Sequence, residues 1–178
     1  MPLPAATPRK ILRRFRRNRR GSAAVEFALV APVFFALLFA IIETAIIFFA
    51  SQVLETVTQD SARLIMTGQA QTAAYTQAQF KTSVCNRISV MFDCVNGIYI
   101  DVRSYSAFSS VTITDPIDAG KNFLPAMSYS PGVAGDIVVV RLFYQWPLFV
   151  TGLGYNISNL TGSKRLLSAT AAFRNEPF

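Results

Sequence analysis

The sequence predicts an α+β protein: a long N-terminal transmembrane helix that continues into a small extracytoplasmic domain with a three-stranded antiparallel sheet. Three observations carry this. An apolar stretch of helical length succeeds a basic tail, the helical spacing of apolar residues persists beyond that stretch, and from Gly97 the spacing changes to every second residue. A length of 178 residues allows about one domain. Hydrophobic residues make up 52% and the mean hydropathy is +0.36, a level that places some stretch in lipid.

The net charge of +7 belongs to the tail. Residues 1–20 hold eight basic side chains (Arg9, Lys10, Arg13, Arg14, Arg16, Arg17, Arg19 and Arg20) and no acid, against nine basic and ten acidic residues in the remainder. Such a tail binds nucleic acid or anionic lipid, or holds one end of a membrane helix in the cytoplasm. The adjoining segment distinguishes these. Ala23–Ala50 has only Glu26 and Glu43 as charges and an uncharged run from Phe27 to Ile42. As a helix these residues measure about 42 Å, more than the ~30 Å hydrocarbon core. The two glutamates are about 26 Å apart, which lets each lie near an opposite interface, away from the costly centre. The positive charge before the span places the N-terminus in the cytoplasm and everything after Ser51 outside.

A secretory signal peptide has the same charged and apolar order. Here the best cut would come after Ala50, where Phe48 occupies the small-residue position and the apolar run is too long. A cut before the apolar segment fits better. The leader ends in Arg20-Gly21 and Glu26 is the fifth residue after the glycine. Gly21 suits a peptidase that must draw the backbone into an extended form, because it has no Cβ.

The stretch Arg20-Gly21-Ser22-Ala23-Ala24-Val25-Glu26-Phe27-Ala28-Leu29-Val30-Ala31-Pro32 resembles the N-terminal segment of TadE-like proteins, minor pseudopilins of the Tad (Flp-type) tight-adherence pilus system. The resemblance covers about residues 20–67. It implies a basic leader (1–21) removed by a membrane aspartic prepilin peptidase between Gly21 and Ser22, a transmembrane and extended helix (22–67) and an extracytoplasmic domain (68–178). It implies Glu26 as the fifth-position acid of the mature chain. Glu26-Phe27 is similar to the TadE-like form, whereas major Flp pilins usually show Glu-Tyr and are far shorter. The ending Phe173-Arg174-Asn175-Glu176-Pro177-Phe178 is similar to the tail of some members. Implied partners are the prepilin peptidase, other Tad pilins and pseudopilins, the inner-membrane pilus assembly platform and membrane lipid. The implied location is the bacterial inner membrane, single-pass, with a periplasmic C-terminal domain.

Cleavage would create a positive α-amine on Ser22, which a neighbouring helix's Glu26 neutralises in a staggered bundle; such a pair sets axial register more than stability. The alternative is that Glu26 merely ends the span at the interface. Glu43, about 100° around the helix from Glu26, is read as an ordinary interfacial acid. Pro32 bends the span or loosens its backbone pairing.

Val53, Leu54, Val57, Leu64 and Ile65 extend the helix to about Thr67, with Ser61 as a polar gap, giving a pilin-like outline. Gly68–Tyr75 is a polar breaker. Phe80, Val84, Ile88 and Met91 place a core face on a second helix. Ile98, Ile100 and Val102 alternate with Tyr99, Asp101 and Arg103 as a first strand; Asp136–Tyr144 and Arg165–Phe173 form the others, separated by glycine- and proline-containing breaks. The loop 104–134 is either a contact surface or a long connection. Tyr144-Gln145-Trp146-Pro147-Leu148-Phe149 is aromatic enough to dock a partner, but apolar clusters are mostly core, and core and edge packing is the reading preferred.

Cys85 and Cys94, in a segment placed outside the cytoplasm, are expected to form a disulfide at the junction of helix and sheet. Histidine is absent and two cysteines cannot complete a zinc site, so neither metal nor cofactor is expected, and no catalytic residue. Asp115 and Asp118 lie in a turn-rich loop where acids form turns. Nucleic acid is not an expected partner, since the adjoining span explains the basic tail. Two functions remain: a prepilin-like assembly subunit, or a bitopic membrane-anchored binding protein with an uncleaved leader.

Overall fold

The computed structural model describes residues 21–88, 91–151 and 154–178; the basic leader, residues 1–20, lies outside them. The chain divides into two compact units, Met1–Ile41 and Ile42–Phe178. Helix α1 (Ser22–Met66, 45 residues) has Pro32 in its interior. Proline removes one backbone donor there, a loss that membrane helices tolerate.

In the first unit the large apolar side chains of α1 point outward all round: Phe27 is 68% exposed and Leu29 72%. A helix apolar on every side belongs in lipid or inside a bundle. Among the described residues α1 is the one helix long and apolar enough to cross a membrane, with a window of mean hydropathy 2.6.

In the second unit α1 becomes one-sided. Glu43, Ile47, Ala50, Leu54, Val57, Ser61 and Ile65 are buried along one stripe at spacings of three and four. Ser61 is inside the stripe as the expected gap, and its hydroxyl has no partner there. The helix ends before Gly68, whose φ of +74° is open to glycine at no steric cost and whose missing Cβ leaves room for the Phe178 ring. The expected breaker beyond it contains one further helical turn, α2 (Gln69–Thr72), because Ala70 is buried and the Thr72 N–H reaches back to the Gly68 carbonyl.

Helix α3 (Gln77–Ile88) buries Phe80, Val84 and Ile88 as the spacing predicts. Met91 is not on this helix, which ends three residues earlier; it packs half-buried on the same core from the connection. A four-residue helix, α4 (Cys94–Gly97), is capped by the Asp93 side chain, which accepts the Asn96 N–H.

Strands β1 (Ile98–Tyr105), β2 (Ile137–Pro147) and β3 (Lys164–Arg174) form an antiparallel sheet in the order β1-β2-β3. Strand β2 runs three residues beyond the expected Tyr144. The β1 pairing stops at Ile98–Tyr144, and Gln145, Trp146 and Pro147 continue against β3 alone. Pro147 therefore meets only one neighbour, as a proline in a sheet must. Ile100, Val102, Val140, Leu142, Leu167 and Ala169 join the helices in one core, while Phe143, Leu160 and Leu166 form a second cluster on the other face. Tyr144 and Trp146 pack edge-on against Phe92, so this part of the aromatic segment is core.

The connection between β1 and β2 covers the second face. Its Tyr129 pairs beside Val102, and Ile117, Phe123 and Met127 pack on the Phe143 cluster. Asp115 accepts the Ile117 N–H and Asp118 the Asn122 N–H, so both acids form turns.

Candidate functional site

Gly21 stands immediately before α1, and a Cβ built on it meets nothing within 4 Å. Ser22 opens the helix, and Ser22, Glu26 and Phe27 are all exposed. Ser22 and Glu26 are four residues apart, one turn and about 6 Å along the axis, so they share a face. The structure thus brings Gly21, Ser22, Glu26 and Phe27 together over less than two turns.

Cys85 and Cys94 lie elsewhere, in the second unit. They are joined as a disulfide with a Cα–Cα distance of 5.5 Å. The bond ties the last turn of α3 to the start of α4, which leads directly into β1.

Two charged groups do more than their residue type and spacing suggest, and the first, Glu43, was expected to be an ordinary interfacial acid. Glu43 is only 7% exposed; its carboxylate accepts the Phe149 N–H at 2.5 Å and the Val150 N–H at 3.1 Å. The hydroxyls of Thr44 and Tyr155 are hydrogen-bonded one residue further on. A signal was present, since Glu43 heads the stripe four residues before Ile47, but its partners are more than a hundred residues away. On the second face of the sheet, Asp101 accepts hydrogen bonds from Arg141 at 2.6 Å, from Arg103 at 3.0 Å and from the Ser128 N–H at 2.9 Å. Arg141 also reaches the Thr114 carbonyl and Arg103 the Ala126 carbonyl. This network fastens the long connection to the sheet.

Burial pushes the Asp101 carboxyl up, but the hydrogen bonds from Arg141, Ser128 and Arg103 and the Arg141 charge outweigh it and hold it below the usual carboxylate range. The Asp118 carboxyl is lowered by its hydrogen bonds from Asn122. Burial, with a smaller effect of Tyr75, pushes the Tyr129 phenol up to about 12. All three move away from neutrality, the opposite of what a general acid or base requires. Among the described residues no three of His, Cys, Asp and Glu converge on a common point.

Residues 21–63 fit the family model for TadE-like protein. No curated protein and no solved structure matches the chain. The matched segment begins at the glycine before α1 and stops three residues short of the helix end, so the similarity takes in Gly21, Ser22, Glu26 and Phe27 and leaves the sheet and the small helices outside it.

Proposed function

We propose that the chain is a minor pseudopilin, processed between Gly21 and Ser22 by a prepilin peptidase and taking part in assembly of a Tad-type adhesive pilus through α1. The observation that carries this is that the family match begins at Gly21 and runs along an apolar helix on which Glu26, five residues on, stands exposed. TadE-like proteins are pilus-associated structural proteins, and no step here needs a catalytic group from this chain.

Removal of the leader leaves a helix that is apolar on all sides and carries one acid near its new amine. In lipid such a helix is stable alone; in a bundle the amine and the acid are each costly unless paired. A staggered neighbour supplies the pair. The basic leader orients the helix with its start in the cytoplasm and the second unit on the periplasmic side. The Cys85–Cys94 disulfide agrees with an oxidising compartment.

The test is the N-terminal residue of the protein extracted from membranes of its host. Ser22 supports processing. Met1, with the peptidase present, supports the bitopic binding protein that keeps its leader.

A further inference from the structure

The second unit exposes apolar side chains at the point where α1 enters it. On α1 these are Ile46 (45% exposed), Phe48 (69%) and Phe49 (59%); on the segment after β2, Phe149 is 85% exposed. Phe149 is not a loose tip. Leu148 before it is buried and donates its N–H to the Ser163 carbonyl, and the N–H groups of Phe149 and Val150 are both taken by Glu43. Tyr155, beyond, meets Thr44. The segment is therefore pinned to α1 at residues 43 and 44.

That height along the helix identifies the surroundings. Glu43 precedes Phe49 by six residues, or about 9 Å, toward the apolar run. About 20 helical residues cross the hydrocarbon, so a span counted from Phe27 reaches about Ile46, past Glu43. A non-helical segment at such a depth must have its backbone donors satisfied by protein, and a carboxylate there must be paired. Glu43 and the two N–H groups meet both requirements at once, and the phenylalanine between them is left facing outward.

We propose that the segment Leu148–Val150 inserts Phe149 into the lipid leaflet through which α1 enters the second unit, with Glu43 as the buried acceptor that satisfies the backbone donors carried in with it. The proposal rests on the reading that α1 spans a membrane. The bilayer then touches the second unit at two points, its own first turns of α1 and the segment.

The full chain is reconstituted in phosphatidylcholine–phosphatidylglycerol vesicles containing lipids brominated at defined chain depths. Trp146, the one native tryptophan, is replaced by Phe, and a single tryptophan is placed by Phe149→Trp or, as a control for the span, by Phe34→Trp. Quenching at 149 by shallow bromines and at 34 by deep ones supports the proposal, as does a loss of quenching at 149 on adding Glu43→Ala. Quenching at 34 without quenching at 149 overturns it and leaves the span intact; no quenching at either position overturns both. A blue-shifted but unquenched tryptophan at 149 means a protein neighbour covers the residue, and also overturns it. Should Trp146→Phe not fold, benzoylphenylalanine at 149 in the otherwise native chain gives the same decision: photo-crosslinks to lipid support insertion, and crosslinks only to protein or water-quenched products overturn it.

Discussion

Asp101 and Arg141 face each other across β1 and β2 as register partners, and their side chains meet at 2.6 Å with Asp101 1% and Arg141 7% exposed. The pair sits on the face of the sheet covered by the long connection, so it couples sheet pairing to loop placement. Removing one member leaves the other charge buried without its counterpart, which costs about 3–5 kcal/mol. Asp101→Asn should therefore lower the stability of the second unit by an amount in that range, read by denaturant unfolding in detergent through Trp146 fluorescence. A loss below about 1 kcal/mol, the value of an exposed pair, would count against the buried network.

The same carboxyl sets an acid limb. Its value is depressed in the folded chain relative to about 3.9 unfolded, so its contribution is complete above about pH 4 and is lost as pH falls through the folded value. Unfolding midpoints measured from pH 6 downward should fall most steeply below about 4, and Asp101→Asn should flatten that limb. An unchanged limb in the variant would assign the acid sensitivity to other groups.

Ser61 gives a prediction of opposite sign. Its residue is fully buried in the helix stripe and its hydroxyl finds no partner. A buried unsatisfied hydroxyl costs about 1–3 kcal/mol. Ser61→Ala removes the hydroxyl and improves helix propensity, so it should raise stability by about 1 kcal/mol in the same unfolding assay. Destabilisation would mean that the hydroxyl is satisfied in the assembled protein, by a water or a neighbouring chain.

How much of the fold is readable in the sequence depends on how far apart the interacting residues are. The length of α1, the faces of α3 and the three strands arise from periodicities within a few residues, and they were legible. The end of α3 at Ile88 was not: Met91 continues the apolar spacing but lies in a turn before Asp93. The extension of β2 to Pro147 depends on where β1 stops, which no local pattern in β2 encodes. Glu43 reads locally as an interfacial acid because nothing near it donates; its partners at 149 and 150 are brought to it only by the fold. The proposed processing site was read from short linear spacing alone, a glycine with an acid five residues on, and that spacing lies in the segment the family model matches.

The disulfide closes a short loop between Cys85 and Cys94, nine positions apart. Loop-closure entropy for about ten residues corresponds to about 2–3 kcal/mol. The Cys85→Ser, Cys94→Ser double variant should lose that much stability while retaining the sheet, since the bond holds only α3 to α4. The check is the unfolding midpoint together with far-ultraviolet circular dichroism. Loss of all sheet signal would show that the bond is required for folding as well as for stability.

Glu26 separates a processing role from an assembly role. If it pairs with the Ser22 amine of a staggered neighbour, that pair forms only after cleavage, and the peptidase has already acted. Glu26→Ala should then leave the N-terminal residue of the extracted protein at Ser22 but reduce co-purification with other pilins and the number of pili per cell. Glu26→Asp, which keeps the charge on a shorter side chain, should restore part of the assembly. Unchanged piliation and unchanged association in Glu26→Ala would reduce Glu26 to an acid that marks the end of the span. An uncleaved Glu26→Ala chain would instead assign the residue to peptidase recognition. Because Glu26 is exposed on the helix surface, neither substitution opens a hole in the core, and a change in assembly with Ser22 still at the N-terminus points to the neighbour it meets.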